Sequence, residues 1–168
     1  MMPITTSVWI CVAFLVYYSV FQVFSDFVRA GMSHNSPNRT ISNLRTKYQI
    51  NIRTFQKNNN LGGFAWFKTI WLNENLFKNE SRLLFAFHHE FYHVKHNHKA
   101  QVLLMRFIFS LLPLLLSFVY WWVFVILLLC NALIIQHISD EFEVKANDYA
   151  KTMMANEKVS DKKNNNNR

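Results

Sequence analysis

The chain has 168 residues, 51% of them apolar and 16% aromatic, and a formal net charge of +8. That length suits one domain, and so high an apolar share exceeds what a water-soluble domain of this size carries, so part of the chain is expected in lipid. The basic excess points to anionic headgroups and membrane orientation, with no nucleic-acid partner, because the cations are scattered and no base-reading motif accompanies them.

Residues 7–24 (SVWICVAFLVYYSVFQVF) are eighteen positions without a charge, about 27 Å as a helix. They predict a transmembrane helix within an N-terminal segment 1–27. No basic side chain precedes it, which argues against a cleaved signal peptide. Residues 25–100 carry eleven Lys or Arg against four acids, so the positive-inside rule puts this region in the cytoplasm. Residues 34–43 read as a polar linker. Period-two alternation over 48–55, a turn-rich 57–63 and a second run over 64–72 together predict a β-hairpin. An exposed edge strand can hold an extended peptide by strand addition, and Phe64, Trp66, Lys68 and Ile70 are the candidate positions, with an ordinary structural hairpin as the alternative.

Asn79 or Ser81 can cap a helix whose Leu84, Phe87, Phe91 and Val94 have core spacing. That helix carries Phe87-His88-His89-Glu90-Phe91-Tyr92-His93, an H-E-x-x-H at 89–93. At about 100° per residue, His89 and His93 lie one turn apart on one face and both can reach one ion. Glu90 falls to the side, within reach of a water on that ion, as a zinc hydrolase requires. A His-rich solvated helix end would look similar, since five of the seven histidines lie between 88 and 98. Cys11 and Cys130 both sit in apolar segments, which implies neither a disulfide nor a cysteine zinc site.

Residues 138–151 read I-S-D-E-F-E-V-K-A-N-D-Y-A-K. This string resembles the second signature, S-R-x-x-E-x-x-A-D-x-x-A, of the integral-membrane zinc peptidases of the CAAX prenyl protease and HtpX type, with Ser139, Glu143, Ala146 and Ala150 in register. The first signature is similar too: H-E-F-Y-H-V-K-H-N-H looks like that family's H-E-x-x-H-x-x-x-N-H, with Asn97 and His98 matched. The resemblance covers roughly residues 60–152. It implies one Zn2+ per chain held by His89, His93 and Glu143, with Glu90 as general base and acid. The chain departs from the pattern at Asn147, where the family has an Asp that accepts a ligand histidine's Nδ1–H, with Asp148 one step on, and at Asp140, where the family has Arg. His137 is a candidate to stabilise a transition-state oxyanion. Glu141 points about 200° away from Glu143, and His96 lies about 10 Å along the axis from His89, so both are weaker ligands.

The apolar run 102–135 is thirty-four residues, about 51 Å as one helix and too long for a single upright crossing. A glutamate ligand beyond it demands a there-and-back path. The resemblance therefore implies a transmembrane or re-entrant hairpin with its tip near Tyr120, Trp121 and Trp122, and residues 155–168 read as a disordered polar tail. The expected fold is a mainly α membrane protein with a small β-hairpin. A gluzincin-like α+β domain over 28–154 would lie between the N-terminal transmembrane helix and the hairpin. The expected function is a membrane-bound zinc metalloendopeptidase acting on peptide or membrane-protein substrates at the cytoplasmic face of a lipid bilayer. Two alternatives stay open: a signal-sensing gluzincin receptor peptidase that cleaves a repressor, and a non-catalytic zinc-binding membrane subunit.

Overall fold

Asn38 opens the first element of the computed structural model, which describes residues 38–56, 62–66, 68–116 and 121–165; the helix expected at 7–24 lies outside them. The Asn38 side-chain oxygen accepts from the Thr40 and Ile41 amides at 2.9 and 3.4 Å and caps α1 (Arg39–Tyr48). Ile41, Leu44 and Tyr48 then recur at helical spacing, the first two buried and the third packed against them. A helix therefore stands where the polar linker was expected to run to residue 43. Gln49 ends it in the left-handed conformation (φ 51), and the Arg45 guanidinium donates to the Ile52 carbonyl, tying α1 to the strand that follows.

Three strands, β1 (Asn51–Phe55), β2 (Gly63–Trp66) and β3 (Thr69–Asn73), form one sheet in the order β1-β3-β2. β2 and β3 pair antiparallel with Phe64 opposite Trp71, whereas β1 lies parallel to β3 with Ile52 beside Ile70. This corrects the hairpin expected between 48–55 and 64–72. The second run folds on itself, and its latter half takes the central place because Ile70 and Leu72 are apolar enough to be wholly buried there. Among the described residues β1 and β2 are the edges.

The helix that carries the histidine motif, α2 (Glu80–Lys95), is capped by Asn79, whose side-chain oxygen accepts from the Arg82 amide at 3.1 Å. It lays Leu83 and Phe87 onto a cluster of Ile41, Leu44, Ile52, Ala65, Ile70 and Leu72, with Leu84, Phe91 and Val94 packed at its margin. Phe87 is wholly buried, its ring 5.1 Å from Tyr48 and 5.8 Å from Phe91. Truncating such a residue to Ala costs about 3–5 kcal/mol.

Gly63 fixes how closely β2 approaches α2. A Cβ there would stand 2.8 Å from the Trp71 carbonyl, 3.1 Å from Leu72 Cδ2 and 3.3 Å from Glu90 Cγ. The first contact is with backbone and cannot yield by a rotamer change. Gly63→Ala is therefore expected to destabilise the fold by about 1–3 kcal/mol, read by thermal or urea unfolding. Unchanged stability would show that the strand has room to spare.

Two further helices follow, α3 (His98–Leu116) and α4 (Trp121–Asn165). Together they overturn the membrane reading of 102–135: among the described residues no helix is long and apolar enough to cross a membrane. α3 begins with His98, Lys99 and Gln101 and carries Arg106, and the apolar stretch of α4 is broken by Asn131 and ends at Gln136. Of the expected hairpin tip, Tyr120 lies outside the described residues, and Trp121 and Trp122 open α4. The localisation built on that reading, an integral membrane protein with its site at the cytoplasmic face, is corrected with it. In place of a mainly α membrane protein, the described residues form an α+β structure of four helices and a three-stranded sheet. The core between α1, α2 and the sheet takes only part of the apolar content, and Leu104, Phe107 and Leu133 of α3 and α4 are exposed.

The chain divides into two compact units, one of Met32–Lys99 with Glu141–Arg168 and the other of Met1–Gly31 with Ala100–Asp140. In the first unit α4 continues to Asn165, so residues 155–165 are helical where a disordered tail was expected. Glu157 explains the continuation, because its carboxylate accepts from Lys47 Nζ at 2.9 Å and meets the buried His88 Nε2 at 3.4 Å. Burial works against the Glu157 carboxylate, but Lys47 and His88 outweigh it and hold its pKa below the usual value.

Candidate metal centre

One turn of α2 separates His89 from His93, and their Nε2 atoms stand 3.3 Å apart. Glu143 reaches them from α4, with Oε2 at 3.0 Å from His89 Nε2 and Oε1 at 3.5 Å from His93 Nε2. The three residues form a group that can hold a metal ion. On a tetrahedral ion with bonds of about 2.0–2.1 Å, neighbouring ligand atoms stand about 3.3–3.4 Å apart. The three observed separations bracket that value, so these donors already form one face of such a shell.

The outward nitrogens decide what the inward ones can offer. His89 Nδ1 lies 3.0 Å from Asn147 Oδ1, and an amide oxygen only accepts, so the His89 proton sits on Nδ1 and a lone pair on Nε2 faces inward. His93 Nδ1 meets His98 Nδ1 at 3.0 Å. The His89 lone pair, the His93 Nε2 atom and a carboxylate thus converge, an arrangement that calls for a cation or a proton between them. Without a metal, a proton serves. Burial works against a charged His89, but the hydrogen bond to Glu143 and the nearby Glu90 outweigh it and raise its pKa. The contacts with the His89 and His93 imidazoles hold the Glu143 carboxyl far below the usual carboxylate range.

Glu90 follows His89 in sequence and lies against Gly63 at the start of β2. Burial pushes its carboxyl up to about 7, against the opposing pull of His89 and His93. His98 shifts the other way, down to about 4, through burial first and the neighbouring His93 and His96 next.

The residues singled out from sequence divide cleanly. His89, His93, Glu90, Glu143 and Asn147 are brought together, and Asn147 makes the histidine contact that an Asp would have made. Asp148 is turned outward and pairs with Lys151 at 3.4 Å, and Glu141, also exposed, pairs with Lys145 at 3.7 Å. His96 is exposed and its Nδ1 donates to the Tyr92 carbonyl at 3.0 Å, a helix-end contact. His137 precedes Glu143 by six residues, about 240° round the helix, and so occupies a different face of α4. Of the proposed substrate edge, Phe64 and Trp66 stand on the edge strand β2, Lys68 in the turn, and Ile70 on the central strand, which is paired on both sides. Two residues of the centre were not found as such from sequence. Gly63 gave no signal beyond its place in a turn-rich stretch, and His98 was matched to the resembling signature without a role.

Neither a protein-family model nor a curated protein matches the chain.

Proposed function

We propose that this chain is a zinc-dependent peptidase whose metal is held by His89, His93 and Glu143 and whose proton carrier is Glu90. The reading is carried by the convergence of two imidazole Nε2 atoms and one carboxylate at tetrahedral spacing, with a second carboxyl beside them. Bound there, zinc supplies a Lewis acid that polarises a peptide carbonyl and makes water acidic enough to attack it near neutral pH. Glu90 accepts the proton of the attacking water and delivers it to the departing amine. Its burial keeps that carboxyl near the pKa at which both transfers are easy, and a nearby cation draws it back toward the carboxylate form a base needs. The edge strand β2, whose first residue touches Glu90, offers backbone groups for an extended peptide to pair with, as strand addition requires. The resemblance to the CAAX prenyl protease and HtpX type of signature supports the same chemistry.

The test is zinc content together with hydrolysis of a quenched-fluorescent peptide library, before and after chelation. One zinc per chain, with cleavage that chelation abolishes and zinc restores, is the expected result. Zinc without cleavage of any peptide would instead favour a non-catalytic metal-binding role.

Metal binding should also depend on pH. Because the folded His89 has its pKa raised above 6.5, a proton competes for its Nε2 from somewhat above pH 6.5 downward, while Glu143 stays ionised throughout that range. Zn2+ affinity is expected to fall roughly tenfold for each pH unit below that point, one proton being displaced per ion. Chelator competition between pH 5.5 and 8 measures this, and a flat profile would mean that His89 is not a ligand.

A further inference from the structure

His96 is the C-cap of α2, and Asn97 then takes the left-handed conformation (φ 52), which Asn tolerates better than most residues. That single residue turns the chain so that α3 starts at His98, whose imidazole comes back against His93. His98 is 6% exposed. Its ring lies flat on Phe142, centroids 4.0 Å apart at 3°, and meets Tyr92 edge-on at 5.2 Å. Packing from α2 and from the adjoining part of α4 therefore fixes its orientation.

Two imidazole nitrogens 3.0 Å apart share one proton, one ring donating and the other accepting. The Nε2 of His93 faces His89 and Glu143, and its lone pair is what a cation would take. The shared proton then belongs on His93 Nδ1. We propose that His98 is a positioning residue for His93: its Nδ1 accepts the His93 Nδ1–H and holds that ring in the tautomer and orientation that turn Nε2 toward the metal. This is the part Asn147 plays for His89, so both ligand histidines lean on neutral acceptors where a carboxylate is the commoner partner. The proposal rests on the peptidase reading only for what Nε2 is presented to. It also gives the Asn97-His98 pair a physical meaning: the first residue makes the turn, and the second supplies the acceptor.

In the metal-free, full-length chain labelled with 15N-histidine, long-range 1H–15N spectra at pH 8 report which ring nitrogen of His93 carries the proton. Nδ1–H is expected, and Nε2–H would overturn the proposal without any variant having to fold. His98→Phe keeps the stack on Phe142 and deletes the acceptor. It is expected to release His93 into a mixture of tautomers and to weaken Zn2+ binding about ten- to hundredfold in chelator competition. His98→Gln, whose carbonyl can accept, should recover part of that loss. A folded His98→Phe chain with unchanged tautomer and affinity would refute the assignment. A wild-type chain with His93 protonated on Nδ1 but no affinity for Zn2+ would remove the peptidase reading while supporting His98 as the acceptor.

Discussion

Glu90→Gln is expected to lower peptide hydrolysis by at least the factor of about 10²–10⁴ that general acid–base catalysis contributes, while the chain keeps its zinc. The amide fills nearly the same volume and coordinates nothing that the carboxylate did, so the three ligands stay in place. A second readout follows from linkage. The Glu90 carboxyl holds its proton up to about pH 7 in the folded chain, against 4.5 in the unfolded one. A carboxyl with a raised folded pKa favours folding at low pH, and that advantage drains away as pH rises from 4.5 through about 7. Above that window the metal-free protein carries a penalty of up to about 3 kcal/mol from this one buried charge. Glu90→Gln removes the penalty, so the metal-free variant should be the more stable one at pH 8 and should show no such gain at pH 4. Urea unfolding at the two pH values measures the difference. A variant that cleaves peptides as fast as wild type would end the catalytic assignment, whatever its stability.

Glu143→Ala is expected to strip the metal. It removes a ligand outright, so the loss of Zn2+ affinity should exceed the ten- to hundredfold that follows the loss of an outer partner. The side chain is 53% exposed, so its truncation leaves little cavity and the fold should survive, which makes the loss interpretable. His89 provides an internal check. Burial lowers its pKa, and the Glu143 hydrogen bond and the charges of Glu90 and Glu143 together outweigh that and raise it, so without Glu143 it should drop in an NMR titration. Glu141→Ala is the matched control, since Glu141 is exposed and paired with Lys145. Zinc lost from the Glu141 variant and kept by the Glu143 variant would reverse the ligand assignment.

What was legible from the chain was what a single helix or strand dictates. His89 and His93 share a face because a helix repeats every 3.6 residues, and Asn79 caps that helix because an Asn before an apolar-periodic run satisfies its first amides. The same kind of signal lay unread at Asn38, where a cap followed by Ile41, Leu44 and Tyr48 marks α1 inside a stretch that looked like a linker. The strands were visible by their alternation, but their partners were not. Period two says which face a residue takes and nothing about whether β1 pairs with β2 or, as it does, with β3. Composition misled more seriously. An apolar fraction does not distinguish a core from a membrane span, and the run 102–135 was read as a hairpin where the described helices are not apolar enough for one.

By itself, then, the sequence determined the histidine pair and the glutamate between them and narrowed the cap of their helix to Asn79 or Ser81, because each depends on neighbours within a few residues. Tertiary structure decided the remainder. Glu143 comes from some fifty residues away to complete the ligand triangle, Gly63 sets how near the sheet comes to Glu90, and His98 is returned to His93 by one left-handed residue. The first joins α2 to α4, the second β2 to α2 and the third the start of α3 to α2, and no local periodicity encodes which atoms will meet there.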